Sequence, residues 1–184
     1  MPTIEETTGA TPLIELRRSL SESARDRDNL IFGKWECVNP SASIKDRVVK
    51  SMIEEAEASG AIHPGDTLIE ASKGNTGIAL AMQAAAKGYR CILIMPENTA
   101  LFKQQSMGVY GAEIILTPQS GGLQYARDLA LQMASEGKGV MLDQFSNPAN
   151  PMAHYRTTGP EIWTATKGQI THFVCSIGTS GTIM

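Results

Sequence analysis

The sequence lacks the features that would indicate a membrane protein, a nucleic-acid-binding protein or a metalloprotein. It contains no apolar run long enough to span a bilayer, and its polar, acidic start, MPTIEETTGA, does not resemble a signal peptide. The formal net charge is only −3, which argues against nucleic acid or an anionic membrane as a partner. The three histidines have none of the spacings of metal ligands, so we expect no metal site.

Cysteine is also scarce. Cys37, Cys91 and Cys175 are widely spaced and odd in number, which indicates free thiols and a cytoplasmic protein. Cys37 has two interpretations, as a small packing residue or as a reactive thiol near a site. The remaining composition, with 42% hydrophobic and 19% charged residues, is typical of a soluble globular protein with one domain or two small lobes.

From Thr67 onward, short apolar runs alternate with helical patterns. The runs that predict strands are TLIEA (67–71), CILIMP (91–96), EIILT (113–117), VMLDQF (140–145) and, after a helix around TGPEIWTATKG (158–168), THFVCSIG (171–178). The helices between the earlier strands should end at Gly88, Gly111 and Gly137, because glycine favours the left-handed stop. This order predicts an α/β protein whose parallel sheet is covered on both faces. The polar segment 19–29 predicts a surface loop.

Lys45 lies at the start of a predicted helix over residues 44–59. A 3.6-residue period places it on the apolar side of that helix, one turn before Val49. The residues expected on that side are Val48, Val49, Met52, Ile53 and Ala56, and those expected opposite are Arg47, Lys50, Glu54 and Glu57. Burial and the helix dipole both favour the neutral amine, which can form a Schiff base with a carbonyl cofactor. Alternatively, the stem covers apolar surface while the ammonium reaches water.

Two glycine-containing turns follow predicted strands. In EASKGNTGIALAM (70–82), Gly74 allows an unusual backbone angle and Asn75 or Thr76 can cap the helix. Its free N–H groups suit a carboxylate or a phosphate, although a plain strand-to-helix turn would look the same. In SIGTSGTIM (176–184), glycines and hydroxyls suit a phosphate, or form only a flexible turn.

Four segments, NPSASIKDR, EASKGNTGIALAM, MLDQFSNPANPMAHYRTTGPEIW and GTSGT, occur in this order. Together with the opening TTGATPLIEL, they resemble the cysteine synthase group of fold-type II pyridoxal-phosphate enzymes. NPANPMAHYRTTGPEIW is more similar to the B type than to the A type. The resemblance covers nearly the whole chain and implies a two-lobed α/β fold with parallel sheets, like that of the tryptophan synthase β subunit.

The resemblance implies pyridoxal 5'-phosphate as the cofactor, with Lys45 holding it and then removing the substrate α-proton. Asn75 would hydrogen-bond the cofactor's ring oxygen. The residues implied for the cofactor phosphate are Gly178, Thr179, Ser180, Gly181 and Thr182. Those implied for the substrate are Ser72, Lys73, Thr76 and Gln144, although Gln144 could also be a plain polar residue at a strand end.

The implied reaction is a β-replacement. Acetate leaves O-acetylserine, and sulfide, or thiosulfate in the B type, then adds to give cysteine or S-sulfocysteine. The implied lobes are a small one over residues 35–145 and a larger one formed by 11–34 and 146–184. A homodimer is implied, and so is a groove for the C-terminal tail of serine acetyltransferase.

The sequence departs from the family's pattern at three places. Lys73 replaces a small hydroxyl residue, and Cys37 replaces a glycine, next to an unusually bulky Trp35. The chain ends at Met184, where the family continues with a helix and further strands, so we expect an N-terminal portion, active as it stands or only when completed.

Lys73 leaves two rival hypotheses open. One is a non-catalytic relative that binds an acidic peptide or a partner chain. The other is the same fold acting on O-phosphoserine. Lys73 could equally point to solvent.

Overall fold

The structure, a computed structural model, describes residues 1–19, 21–26 and 29–184. The strands are β1 Leu13–Glu15, β2 Phe32–Lys34, β3 Thr67–Ala71, β4 Arg90–Pro96, β5 Glu113–Thr117 and β6 Val140–Met141. The helices are α1 Glu22–Arg25, α2 Lys45–Ala58, α3 Asn75–Lys87, α4 Leu101–Val109, α5 Gly122–Ser135, α6 Ala149–Ala153 and α7 Gly159–Ala165. A π-helical turn, His154–Thr158, joins α6 to α7.

Four strands form a parallel sheet in the order β5-β4-β3-β6. Leu68 pairs with Cys91 in β4 and with Val140 in β6. The predictions for β3 and β5 are confirmed to the residue, and Gly88, Gly111 and Gly137 follow their helices with positive φ, as expected. A separate antiparallel pair, β1 with β2, precedes this sheet.

Each face of the sheet has its own apolar core. On one face, Met52 of α2 and Leu80 of α3 pack with Leu68 and Leu93. On the other, Ala126 and Ala130 of α5 pack on Ile69 and Ile94. The expectation that all strands are covered is wrong for β5, because an edge strand has neighbours on one side only and Leu116 is half exposed.

The apolar stripe predicted for α2 is confirmed. Val48, Val49, Met52 and Ile53 are at most 1% exposed, and Ala56 packs against the same core. Arg47, which was expected on the side opposite the apolar stripe, is nevertheless buried. Its guanidinium is buried and forms ion pairs with Glu36 and Glu161, two distant carboxylates that the periodicity of one helix cannot reveal.

Two strand predictions near the end of the chain are also wrong. The strand over 140–145 ends at Met141, because Asp143 adopts a φ of +48° and turns the chain away. Residues 171–178 pair with no strand in the described part of the chain, and Val174 is 90% exposed. An apolar run becomes a strand only where a partner satisfies its backbone groups.

The helix predicted around residues 158–168 is confirmed as α7, which continues from α6 and the π-helical turn. The predicted loop over 19–29 contains the short helix α1, begun by the Ser21 side chain. Leu20, Arg27 and Asp28 of that loop lie outside the described residues. Within the described ranges, no helix is both long and apolar enough to cross a membrane.

Candidate functional site

The candidate site lies at the carboxyl edge of the parallel sheet. The chain proceeds from β3 to β4 and β5 on one side, and then returns to place β6 on the other side of β3. The turn 72–76 follows β3, and Gln144 follows β6. In open α/β sheets, the crevice at such a reversal is where ligands bind. Topology therefore brings two of the sequence-predicted segments to one place.

The turn after β3 is held by side chains that were predicted to bind substrate. Ser72 Oγ accepts the N–H groups of Gly74 (3.3 Å) and Gly77 (3.0 Å). Thr76 donates its hydroxyl to Gln144 Oε1 at 2.7 Å. All three polar side chains, Ser72, Thr76 and Gln144, are buried. Gln144 is thus part of this cluster and not an isolated polar residue at a strand end.

Two details of the prediction for this turn are wrong. Gly74 has an extended backbone, with φ −144°, and not an unusual angle. Gly74 is also the N-terminal cap of α3, and neither Asn75 nor Thr76 caps the helix with its side chain. The reason is that Ser72, just after β3, accepts the N–H groups of Gly74 and Gly77 at the start of the helix, while the Thr76 hydroxyl donates to Gln144. A Cβ on Gly74 would meet nothing within 4 Å, so the turn is open on that side.

Lys45 is the first residue of α2 and is half-buried. Its backbone N–H donates to Ser43 Oγ at 3.1 Å, which anchors the start of the helix. Burial lowers the pKa of the Lys45 amine below its ordinary value. Burial therefore favours the neutral, nucleophilic form of this amine relative to a fully solvated lysine.

The turn at the C-terminal end, residues 178–182, is fixed against α6. Asn150 donates from Nδ2 to Thr179 Oγ1 at 2.9 Å. Ser180 adopts a φ of +63°, and a Cβ added at Gly181 would overlap the Asn150 side chain. Only glycine fits at that position without moving Asn150. The five residues are therefore an ordered turn and not a flexible tail.

His154 contacts this turn through Thr182, and the sequence reasoning missed it. Its Nδ1 lies 3.0 Å from Thr158 Oγ1, and its Nε2 lies 3.3 Å from Thr182 Oγ1. Burial, with the positive charges of Lys45 and Arg47, lowers the pKa of His154 to about 4. The imidazole is therefore neutral near pH 7. The four-residue spacing of His154 and Thr158 was the available signal, since such residues meet on one helix face.

Two of the residues predicted to bind the cofactor or the substrate have exposed side chains. Asn75 and Lys73 are both exposed, and neither side chain makes a hydrogen bond or ion pair with the residues that the structure describes. Both lie beside the start of α3, where free N–H groups favour anions. The structure brings them to the turn 72–76, and their roles stay predictions.

A buried acid lies directly behind the site. Glu70 of β3 is 1% exposed and accepts the backbone N–H of Asp143 at 3.0 Å. Burial and the nearby Asp143 carboxylate raise the pKa of Glu70 to about 8. Arg127 of α5 pairs with Asp143 at 2.7 Å. This arrangement fixes the backbone just before Gln144.

The three cysteines differ in exposure. All three, at positions that the structure describes, are free. Cys37 is exposed, so the interpretation as a packing residue is wrong. Cys91 is buried, which raises the pKa of its thiol to about 12 and leaves it unreactive. Over the described ranges, no group of three or more potential metal ligands is close enough to hold an ion.

The chemistry of the donor set fits pyridoxal phosphate. An amine with a lowered pKa suits an aldehyde, and an ordered turn of glycines and hydroxyls suits a phosphate. The buried Asn150 Oδ1, which has no hydrogen-bond partner among the described residues, also faces the turn at Gly181. The fold and these groups define a class of α/β enzyme that holds an anionic carbonyl compound at the carboxyl edge of a parallel sheet.

Comparison with known proteins identifies the family within this class. The family described as pyridoxal-phosphate dependent enzyme matches residues 4–184, and the chain belongs to it. The cofactor of the family is the one expected from the sequence motifs. The expected α/β fold with a parallel sheet is likewise confirmed.

The chain is similar to several cysteine synthases. Cysteine synthase B of Escherichia coli (strain K12) is 56% identical over 183 residues, which cover 100% of this chain and 59% of that protein. Cysteine synthase B of Pseudomonas aeruginosa is 55% identical and is covered to 60%. The resemblance to the B type is thereby confirmed, and the chain spans about three fifths of the length of these curated relatives.

Solved structures show the same fold. The crystal structure of an O-ureido-L-serine synthase matches with a TM-score of 0.94 and 36% identity, over 100% of this chain and 57% of that one. A hydrogen sulfide-producing enzyme from Fusobacterium nucleatum matches with a TM-score of 0.90 and 36% identity, over 99% of this chain and 60% of the other.

Proposed function

We propose that this chain provides the lysine and the two anion-binding turns of a cysteine synthase of the B type. The reaction is a β-replacement in which acetate leaves O-acetylserine and sulfide adds to give cysteine. The observation that carries the proposal is the half-buried amine of Lys45, which is close enough for its charge to lower the pKa of His154. His154 in turn contacts Thr182 in the C-terminal turn. The names of the relatives at 55–56% identity support this choice of reaction.

Each residue has a role that follows from its position. Lys45 would hold the cofactor through its amine, and the same amine would accept the proton removed from the substrate α-carbon. Ser72, Thr76 and Gln144 orient the substrate carboxylate at the start of α3, and Asn75 contacts the cofactor ring oxygen. The turn 178–182 holds the cofactor phosphate. When bound, the cofactor supplies the electron sink that makes the α-proton acidic.

The proposal includes both sulfide and thiosulfate as the sulfur donor, with cysteine and S-sulfocysteine as the respective products. A homodimer, the tail of serine acetyltransferase as a partner and a cytoplasmic location are predictions of the same kind. We also propose the division into lobes, 35–145 against 11–34 with 146–184. The separate β1–β2 pair and the ion pair of Lys34 with Glu161 support it, because both lie within the larger proposed lobe. The ion pair of Arg47 with Glu161 then links the two lobes.

A cofactor titration tests the proposal on this chain. Adding pyridoxal phosphate should produce an absorbance band at the edge of the visible range. Borohydride reduction followed by peptide mass mapping should then locate the modification on Lys45. Lys45→Ala should abolish the band, whereas Lys50→Ala should keep it, because Lys50 is a surface residue of the same helix paired with Glu54.

Turnover is then measured with O-acetylserine and either sulfide or thiosulfate. A folded chain that forms no band with pyridoxal phosphate would overturn the proposal. Cofactor binding without turnover would favour the non-catalytic alternative, and binding of an acidic C-terminal peptide by the same chain would support that alternative further.

A further inference from the structure

Asn150 lies between the two halves of the candidate site. It is the second residue of α6 and is only 1% exposed. Its Nδ2 donates to the backbone carbonyl of Gln144 at 2.8 Å and to Thr179 Oγ1 at 2.9 Å. One buried amide therefore connects the strand end that carries Gln144 to the turn assigned to the cofactor phosphate.

The direction of these hydrogen bonds is fixed by chemistry. The carbonyl of Gln144 can only accept, so the amide nitrogen of Asn150, and not its oxygen, must face it. The second hydrogen on the same nitrogen occupies a lone pair of Thr179 Oγ1. The hydroxyl hydrogen of Thr179 must then point away from Asn150. It is left free to donate to an anion in the turn.

The turn 178–182 also lies in close contact with the Asn150 side-chain amide. A side chain at Gly181 would overlap Asn150, so Gly181 and Asn150 are in close contact. Asn150 Oδ1 has no hydrogen-bond partner among the described residues. Exchanging the amide for a carboxylate would remove the donor to Thr179 and place a buried charge beside the turn.

We propose that Asn150 is a positioning residue that orients the Thr179 hydroxyl as a donor to the phosphate of pyridoxal phosphate. This inference rests on the proposed function, since it needs the turn 178–182 to hold that phosphate. Asn150 itself touches neither the reacting atoms nor the substrate. It acts through Thr179.

The test compares two ligands that differ only in the phosphate. Dissociation constants of pyridoxal phosphate and of pyridoxal are measured by absorbance titration for the wild-type chain, Asn150→Ser and Asn150→Asp. Asn150→Ser should weaken binding of pyridoxal phosphate by about tenfold, because a hydrogen bond to a charged group is lost. It should change the binding of pyridoxal by less than about twofold. Asn150→Asp should weaken pyridoxal phosphate further, by charge repulsion.

Two further variants separate positioning from general disruption. Thr179→Val should produce the same selective loss, and the double variant Asn150→Ser with Thr179→Val should be no worse than Thr179→Val alone. Asn147→Ser is the matched control, because Asn147 also donates an amide hydrogen to a backbone carbonyl, that of Leu142, without contacting the turn. It should leave the ratio of the two dissociation constants unchanged.

The outcomes distinguish the inference from the proposed function. Equal weakening of both ligands by Asn150→Ser, or a selective loss in Asn147→Ser, would overturn the role of Asn150 and leave the cofactor site intact. A wild-type chain that binds pyridoxal but gains nothing from the phosphate would overturn the phosphate turn and this inference together. Binding of neither ligand would overturn the proposed function as well.

Discussion

The sheet region, residues 45–141, and the C-terminal region, residues 146–184, are stabilised in different ways. The sheet region buries apolar side chains on both faces of a hydrogen-bonded ladder. The C-terminal region has no strand in the described chain. Ala149 of α6 joins the apolar core, and the polar side chains of Asn150, His154 and Glu161 add hydrogen bonds and an ion pair. The sheet region carries Lys45, and the C-terminal region carries the turn 178–182. Substitutions that remove packing should therefore affect the sheet region most, and substitutions that remove a charged or polar partner should affect the C-terminal region most.

The largest effect is expected at Arg47, where the regions meet. Its guanidinium pairs with Glu36 and with Glu161 of α7, at 2.7 Å each. Arg47→Ala should lower the free energy of unfolding by about 3–5 kcal/mol, because two largely buried carboxylates lose their partner. Urea unfolding measures this loss. The control Lys87→Ala breaks a more exposed pair with Glu57 and should change stability by less than about 1 kcal/mol. Equal losses would mean that the Arg47 cluster does not join the regions.

A second comparison uses one apolar residue from each region. Leu93 of β4 is fully buried, whereas Val174 is 90% exposed. Leu93→Ala should lower the free energy of unfolding by about 2–5 kcal/mol through lost contacts and a cavity. Val174→Ala should stay within about 0.5 kcal/mol. A large loss at Val174 in the same urea titration would show that residues 171–178 are packed after all.

The regions should also respond to pH with opposite signs. The pKa of Glu70 is raised from 4.5 to about 8 by burial, so its contribution is present below about pH 4.5 and is lost as the pH rises toward 8. Hydrogen bonds from Arg47 and Lys34 lower the pKa of Glu161 from 4.5 to about 2 against the opposing effect of burial. The contribution of Glu161 is therefore present above about pH 4.5 and is lost as the pH falls toward 2.

Measured unfolding free energies across this pH range test both signs. Glu70→Gln should flatten the decline above pH 4.5 only, and Glu161→Gln should flatten the acid decline only. In Glu161→Gln, His154, whose pKa is lowered from 6.5 to about 4, should still cause a loss of stability as the pH falls from about 6.5 toward 4. A pH profile unchanged by either substitution would contradict the assignment.

The smallest effect is expected at Lys73, an exposed residue of the turn after β3. If the anionic-substrate hypothesis holds, Lys73→Ser should lower kcat/KM for O-phosphoserine about fivefold relative to O-acetylserine, the size of an exposed ion pair. Stability should change by less than about 0.5 kcal/mol. Steady-state assays with both substrates measure the ratio. An unchanged ratio would remove that hypothesis and leave Lys73 as a solvent-facing cation.

The sheet region could be predicted from the sequence because its signals are local. Strands β3 and β5 were located to the residue, and the buried stripe of α2 followed from a 3.6-residue period. The C-terminal region could not be predicted in the same way. Whether residues 171–178 form a strand depends on a partner strand, and no pattern within eight residues contains that information.

The candidate site shows the same difference between local sequence signals and contacts that depend on distant residues. Motif resemblance pointed to Lys45, the turn 72–76 and the turn 178–182, and the structure links the two turns through Gln144 and Asn150. It did not reveal Asn150, His154 or the burial of Arg47, because each of these depends on a contact across 28 or more residues of sequence: Asn150 to Thr179, His154 to Thr182 and Arg47 to Glu161. A polar residue in a helical segment is normally assigned to solvent unless such a long-range partner is known.

The π-helical turn at His154–Thr158 has a mechanical consequence. A π-helical turn holds more residues than an α-helical one, so it offsets the phase of α7 from that of α6. Deleting Tyr155, whose side chain is exposed, would restore a regular spiral and rotate all later residues by about 100°. Glu161 would then swing away from Arg47, and the C-terminal turn would lose its alignment with the lysine. The extra residue of the π-helical turn thus sets the rotation of α7, and with it the position of Glu161 relative to Arg47.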